Sequence, residues 1–236
     1  MKPAGPKLSM HKKRITVLLA EDHTIVREGF RKMLELEDDL EVVGEAQDGR
    51  QAVAMVKKLR PAVVLMDIAM PLLNGLEATR QILKVVPGTR ILILSAHSDD
   101  AYVKNATESG AVGFLLKQTS AHDVCLAIRE VQKGKTFFSP TVARRLHQLD
   151  GKLLDRAGRP QSRNVRLSSR EMEVLQLIAE GEANKQIAAE LGISIKTVEK
   201  HREKAMSKLD VHDTAGLTRY AISAGIIESS VQLTII

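Results

Sequence analysis

Between residues 15 and 133 the chain alternates strictly between short apolar runs and amphipathic segments, and few folds accept that pattern. Residues 15–20, 41–45, 62–66, 91–94 and 113–116 read as strands, and 24–37, 51–59, 75–86, 100–109 and 121–133 as helices. Asp48, Asn74, Asp99 and Ser120 stand where side-chain N-caps are needed, Ser120 with Asp123 three residues on. Strands that are apolar throughout, rather than alternately polar, belong to a parallel sheet covered on both faces. The expectation is an α/β doubly wound (βα)5 domain with a five-stranded parallel sheet, spanning 14–135.

The pattern then breaks. Residues 139–149 could form one helix, and 151–166 are rich in Gly, Arg, Pro, Gln and Asn, so 136–165 reads as a helix and flexible basic linker. From 166 to 236 the strand signal is gone. Ser168 with Glu171 forms a capping box opening a helix over 169–180, which Gly181 closes. Asn184 starts a short helix to Leu191, closed by Gly192. Ser194 caps a third over 195–209, and Asp213 caps a fourth that ends at Gly225. This part is an all-α four-helix domain.

Composition narrows the function classes. The longest apolar runs are far shorter than the roughly 20 residues of a spanning helix, so no membrane partner is expected. The basic stretch 1–13 lacks the apolar core of a secretory signal and reads as a disordered leader. The single cysteine, Cys125, allows no intrachain disulfide, suits a reducing cytoplasm and reads as a small buried hydrophobe. The net charge of +6 is no argument for nucleic acid by itself, because residues 167–236 carry more acids than bases. Any such argument must come from a particular helix.

Polar residues follow the strands in a telling set: Glu21 and Asp22 after the first, Asp67 after the third, Ser95 after the fourth, Lys117 after the fifth. In a doubly wound sheet the carboxyl ends of the strands share one rim, where ligands bind. One polar residue there is usually a turn former or cap; five of complementary chemistry make a site. Clustered carboxylates are tolerable around a hard cation such as Mg²⁺. An aspartate can act as nucleophile and carry an aspartyl-phosphate, which a lysine and a hydroxyl would neutralise. Asp67, alone at the end of a central strand, is the nucleophile candidate.

The set Glu21-Asp22, Asp67-x-x-Met70-Pro71-x-x-x-Gly75, Ser95 and Gly110-Ala111-x-Gly113-Phe114-x-x-Lys117 resembles the receiver domain of response regulators over roughly 14–134. The resemblance implies phosphorylation at Asp67 by a histidine kinase. It implies Mg²⁺ held by Asp22, Asp67 and the backbone carbonyl of Ala69, with Glu21 acting through water. It places Ser95 and Phe114 at the family's two switch positions, and Lys117 at its phosphate-binding lysine. A lone Phe beside a strand is otherwise a core residue. Two departures stand out: the acidic pair is Glu-Asp rather than Asp-Asp, and Gln118 rather than Pro follows Lys117, so no cis peptide is expected there.

In the C-terminal part Ala188, Gly192 and Val198 obey the spacing of a helix-turn-helix: a small crossing residue, a turn glycine, a packing residue. The second helix of that pair carries Lys196, Lys200, Arg202, Lys204 and Lys208 against Glu199 and Glu203. The stretch Leu167-Ser168-x-Arg170-Glu171 … Asn184-Lys185-x-Ile187-Ala188 … Ser194-x-Lys196-Thr197-Val198-x-x-His201 … Lys208-Leu209 resembles the LuxR-type DNA-binding domain. Together the two parts look like the NarL/FixJ class of response regulators. On that basis Lys200, Glu199 and Glu203 face bases of double-stranded DNA. Lys185, Lys196, Thr197, His201 and Lys204 face phosphates, and Lys208 completes the candidate set. The same lysines could serve simply as a solvated helix face, with the glutamates pairing along the helix. The resemblance further implies homodimerisation on activation. A phosphatase with an aspartate nucleophile would need a second Asp two residues on, where this chain has Ala69, so the chain is not expected to be an enzyme. An adaptor that has lost DNA binding is the other alternative, and the salt dependence of DNA binding separates it.

Overall fold

A computed structural model describes residues 14–96, 100–139, 142 and 167–227. The expected leader, the Asp99 cap, most of the 139–149 helix and the 151–166 linker lie outside the described residues.

The N-terminal domain runs β1 (Ile15–Ala20), α1 (Thr24–Glu35), β2 (Leu40–Ala46), α2 (Gly49–Leu59), β3 (Val63–Asp67), α3 (Gly75–Val85), β4 (Arg90–Ser95), α4 (Asp100–Ser109), β5 (Gly113–Leu116), α5 (Ala121–Gln132) and β6 (Phe137–Phe138). Every strand pair is parallel, in the order β2-β1-β3-β4-β5-β6. Successive side chains on a strand point to opposite faces. Leu18, Val64, Met66 and Ile93 therefore join the core under α2, α3 and α4. Val17, Leu19, Leu65 and Leu94 join the core under α1 and α5 with Cys125, which is buried as expected. Burying each such side chain contributes about 1.5–3 kcal/mol, which is why both faces of the central strands are apolar.

The sheet has six strands where five were expected. Gly134, at φ +85°, turns the chain after α5 and brings Phe137 to the free edge of β5, where its N–H donates to the Val112 carbonyl at 3.0 Å. Phe137 and Phe138 then pack against opposite cores. A two-residue strand is too short to leave a periodic signal.

The caps behave as the sequence requires. Asp48, Asn74 and Ser120 accept from the backbone N–H groups of Gln51, Glu77 and Asp123 at 2.8, 3.0 and 3.2 Å. Helix α2 begins at Gly49, earlier than expected, directly after its cap. A Cβ on Gly49 would meet the Leu73 carbonyl at 2.1 Å, so only glycine fits that crossing. No cis peptide occurs among the described residues.

The C-terminal domain is α6 (Ser169–Ala179), α7 (Asn184–Leu191), α8 (Ile195–Leu209) and α9 (Thr214–Ser223). The capping box of α6 is complete: Glu171 N–H donates to Ser168 Oγ at 3.3 Å, and Ser168 N–H to Glu171 Oε2 at 2.8 Å. Gly192 closes α7 at φ +63°, and Ala188, Leu191 and Val198 are buried at the crossing of α7 and α8. Leu175, Ile178, Leu217 and Ala221 fill the remaining core. Among the described residues no helix is long and apolar enough to cross a membrane.

Candidate functional site

The strand order reverses between β1 and β3, so a crevice opens there at the carboxyl ends, where ligands bind in such sheets. Glu21 and Asp22 leave β1 on one side of it, and Asp67 ends β3 on the other. Lys117, just beyond β5, reaches in: its Nζ lies 2.9 Å from Glu21 Oε2 and 3.1 Å from Asp67 Oδ1. Ser95 is buried at the end of β4, and its carbonyl accepts from the Lys117 N–H at 2.9 Å. Glu21, Asp67 and Lys117 thus meet directly, Asp22 lies within 4.8 Å of the other acids, and Ser95 joins them through its backbone.

The electrostatics are severe. Glu21 and Asp67 are each only 2% exposed. Burial raises the Asp67 carboxyl to about 7, the Glu21 charge adds to this, and Lys117 opposes it. Lys117 is itself held above its ordinary value; burial lowers it, but the charges of Asp67 and Glu21 outweigh that. Asp67 Oδ2 is buried without a hydrogen-bond partner among the described residues. A buried, unpartnered carboxylate oxygen is costly and suits a cation or a new bond. Glu21, Asp22, His23 and Asp67 present ligand atoms within 4.8 Å of one another, a donor set that fits a hard divalent cation.

The surrounding loops are tightly held. Gly75 opens α3 directly over the end of β3, and a Cβ there would meet the Asp67 carbonyl at 1.8 Å. Its N–H donates to the Ile68 carbonyl at 2.8 Å, folding the loop that contains Ala69. Phe114 is fully buried in the core under α2, α3 and α4. Two residues next to the site escaped the sequence. Arg27, on α1 and nearly buried, donates from Nη1 to the carbonyls of Glu21 and Asp22 at 2.8 and 3.2 Å, fixing the turn that carries the acidic pair. An arginine on an amphipathic helix reads as solvated, so no signal marked it. His23 places Nδ1 3.1 Å from Glu21 Oε1 and 3.0 Å from Asp22 Oδ1, and Asp22 beside it raises its imidazole above the ordinary value.

In the second domain α8 is reached after the Gly192 turn, with Ser194 capping it at 3.1 Å to the Thr197 N–H. Val198 and Ala205 bury its inner face. Lys196, Glu199, Lys200, Glu203 and Lys204 are exposed on the outer face, and Lys185 is exposed on α7. Three candidates sit differently. Thr197 is half-buried and its hydroxyl lies 2.8 Å from Ser194 Oγ, within the cap. His201 is half-buried, with Nδ1 unpartnered among the described residues, and lines a cleft with Asn105 and Tyr220. Lys208 pairs with Glu171 of the capping box at 2.6 Å.

The two domains touch along α6, α7 and the end of α9, and the outer face of α8 is left exposed. Arg50 Nη1 donates to the Glu190 carbonyl at 2.9 Å and pairs with its carboxylate. Gln81 Nε2 donates to Glu173 Oε1 at 2.8 Å, and Asn105 Nδ2 to the Ala224 carbonyl at 3.4 Å.

Comparison with known proteins agrees with this geometry. Residues 17–129 match the response regulator receiver domain, and 165–221 match the luxR family of bacterial regulatory proteins. Both are families of regulatory rather than classical enzymatic proteins. The chain is 41% identical over 210 residues to the transcriptional regulatory protein LiaR of Bacillus subtilis, covering 88% of this chain and 96% of that one. It is 37% identical over 214 residues to the response regulator VraR of Staphylococcus aureus, covering 91% and 99%. It also resembles RcsB of Salmonella enterica, solved bound to a promoter with a phosphomimetic beryllium fluoride, at a TM-score of 0.56 and 32% identity over 90% of this chain and 99% of that one. Receiver crevice, helix-turn-helix and full-length relatives thus coincide, and the chain belongs to the transcriptional response regulators that join a receiver domain to a luxR-family DNA-binding domain.

Proposed function

We propose that Asp67 accepts a phosphoryl group from a histidine kinase and that this modification controls how the C-terminal domain engages DNA. The observation that carries the reading is the buried, unpartnered Oδ2 of Asp67, beside a lysine whose ammonium is already 3.1 Å from Oδ1.

In the transfer, a carboxylate oxygen of Asp67 attacks phosphorus, the bond from phosphorus to the donor nitrogen breaks, and an acyl phosphate forms on Asp67. Lys117 follows the charge as it moves onto the phosphoryl oxygens. Asp22, Asp67 and the carbonyl of Ala69 would hold Mg²⁺, with Glu21 acting through water; the ion would neutralise charge on the transferring group. Ser95, at the rim, would donate its hydroxyl to the phosphoryl group, and Phe114 would report the change through the core. Hydrolysis of the acyl phosphate by water would reset the switch.

On DNA, α8 lies in the major groove. Lys200, Glu199 and Glu203 face base edges, while Lys185, Lys196 and Lys204 hold phosphates; Thr197 and His201 are half-buried and Lys208 is paired with Glu171, so these three contribute less to the contact. The exposure of the first six supports this division. We take 14–135 as the receiver, 136–165 as a basic linker, 166–236 as the DNA-binding domain and 1–13 as a leader. The working form is a cytoplasmic homodimer once phosphorylated.

The test is intact-mass spectrometry of the full chain after incubation with Mg²⁺ and acetyl phosphate. The wild type should gain one phosphoryl group and Asp67→Asn none. A gain on the variant would move the acceptor elsewhere, and no gain on either would end the phospho-switch reading.

A further inference from the structure

Gln176 belongs to α6 of the DNA-binding domain, yet its side chain is committed to the receiver. It is fully buried. Its Oε1 accepts from the backbone N–H of Asn74 at 2.7 Å and from Asn74 Nδ2 at 2.9 Å. Its Nε2 donates to the Met70 carbonyl at 2.9 Å and to Glu180 Oε1 at 2.7 Å. A side-chain amide has two N–H donors and two acceptor lone pairs, and here all four are used.

Its receiver partners, Met70 and Asn74, lie on one loop, the stretch between β3 and α3 that follows Asp67. Glu180, held by Gln176, also accepts from the Leu72 N–H at 3.2 Å. Leu72 sits at φ +65°, a conformation a branched apolar residue rarely adopts, and packs against the core of the DNA-binding domain. The peptide groups at 70, 72 and 74 are thus clamped by two side chains of the other domain. Ala69, whose carbonyl belongs to the proposed cation set, lies between Ile68, which ties down Gly75, and the clamped Met70.

We propose that Gln176 is a positioning residue for phosphoryl acceptance: by clamping Met70 and Asn74 it fixes the loop after Asp67 and restrains phosphorylation from the DNA-binding domain. The inference rests on the reading of Asp67 as the acceptor. A fully satisfied buried amide is costly to disturb, because any partner it gives up is left unpaired. A cation and a phosphoryl group bind through the same loop, so any shift they require works against the clamp. Coupling free energy is reciprocal at equilibrium: if Mg²⁺ binding loosens the clamp, the clamp weakens Mg²⁺ binding by the same factor. The contact leaves the outer face of α8 exposed, so it acts by tethering the reading helix rather than by covering it.

The experiment compares wild type, Gln176→Ala and Arg50→Ala as full chains. The rate of phosphoryl gain from acetyl phosphate is followed by intact mass, and binding of Mg²⁺ alone is measured by titration calorimetry. Gln176→Ala should be phosphorylated faster and bind Mg²⁺ about fivefold more tightly, the lower end of ordinary coupling. Arg50→Ala loosens the same docking at Glu190 without touching the loop, and should shift the rate in the same direction by a smaller factor. An unchanged or slower rate in Gln176→Ala overturns the proposal. If that variant fails to fold, as its circular dichroism would show, an unchanged rate in Arg50→Ala overturns it instead. A wild type that takes up no phosphoryl group removes the underlying reading of Asp67, an outcome distinct from equal rates in all three proteins.

Discussion

The receiver rim and the outer face of α8 carry comparable numbers of charged side chains and use them in opposite ways. At the rim, Glu21 and Asp67 are buried and the half-buried Lys117 lies within 3.1 Å of both, so their energies are set largely by desolvation. On α8, Lys196, Lys200 and Lys204 stand in water, where each costs little and gains little until a partner arrives. A buried cluster does chemistry with the charges it already holds. An exposed face does recognition, and its energy appears only in the complex.

Lys117→Ala should break this contrast most sharply. It leaves two buried carboxylates without their cation, so we expect a stability loss of about 3 kcal/mol in denaturant unfolding, together with near-complete loss of phosphorylation. No exposed lysine of α8 should approach that cost.

Asp67→Asn should act on stability with the opposite sign. The folded carboxyl is raised to about 7 from its ordinary 3.8. As pH rises between those values the unfolded chain gives up the proton while the folded one keeps it, so wild-type stability falls, and the loss is complete above about 7. In chelator, Asp67→Asn should therefore be more stable than wild type at pH 8 by about 1–3 kcal/mol. Thermal melts should show the difference shrinking toward pH 4, and a constant difference would mean the raised carboxyl is not its cause.

Lys200→Ala should sharpen the other side. A base contact is worth about 1–3 kcal/mol of DNA affinity, while the stability of the protein should move by no more than about 0.5 kcal/mol. Lys208→Ala, on the same helix but paired with Glu171, should show the reverse balance: lower stability and little change in DNA affinity. Smallest of all, Ser168→Ala removes one half of the α6 capping box and should cost about 1 kcal/mol in thermal unfolding without altering phosphorylation.

How much of this was legible in the sequence follows from the same contrast. The rim residues could be read because a parallel sheet forces whatever follows each strand onto one edge, so Glu21, Asp22, Asp67, Ser95 and Lys117 converge by topology alone. The caps and closing glycines of the helices were readable because they act within one turn of chain. Arg27 was not, since nothing distinguishes a solvated arginine on α1 from one that reaches back to two carbonyls. The two-residue β6 was too short for periodicity. On α8 the helix and its charge were plain, but the roles of Thr197, His201 and Lys208 depend on the phase of the helix against its cap and α6, which spacing does not fix. The clamp by Gln176 joins positions 102 and 106 residues apart, and no local pattern announces a contact of that range.

The central claim is that the buried charge of the rim governs the exposed charge of α8. Its most direct test is the affinity of the full chain for a mixed-sequence duplex, read by fluorescence anisotropy at one fixed salt concentration, before and after treatment with Mg²⁺ and acetyl phosphate, in wild type and Asp67→Asn. We expect phosphorylation to tighten wild-type binding about tenfold, a coupling of about 1.4 kcal/mol, and to leave Asp67→Asn unchanged. Equal affinities for phosphorylated and unphosphorylated wild type would contradict the claim, because the two regions would then be neighbours in one chain without being coupled.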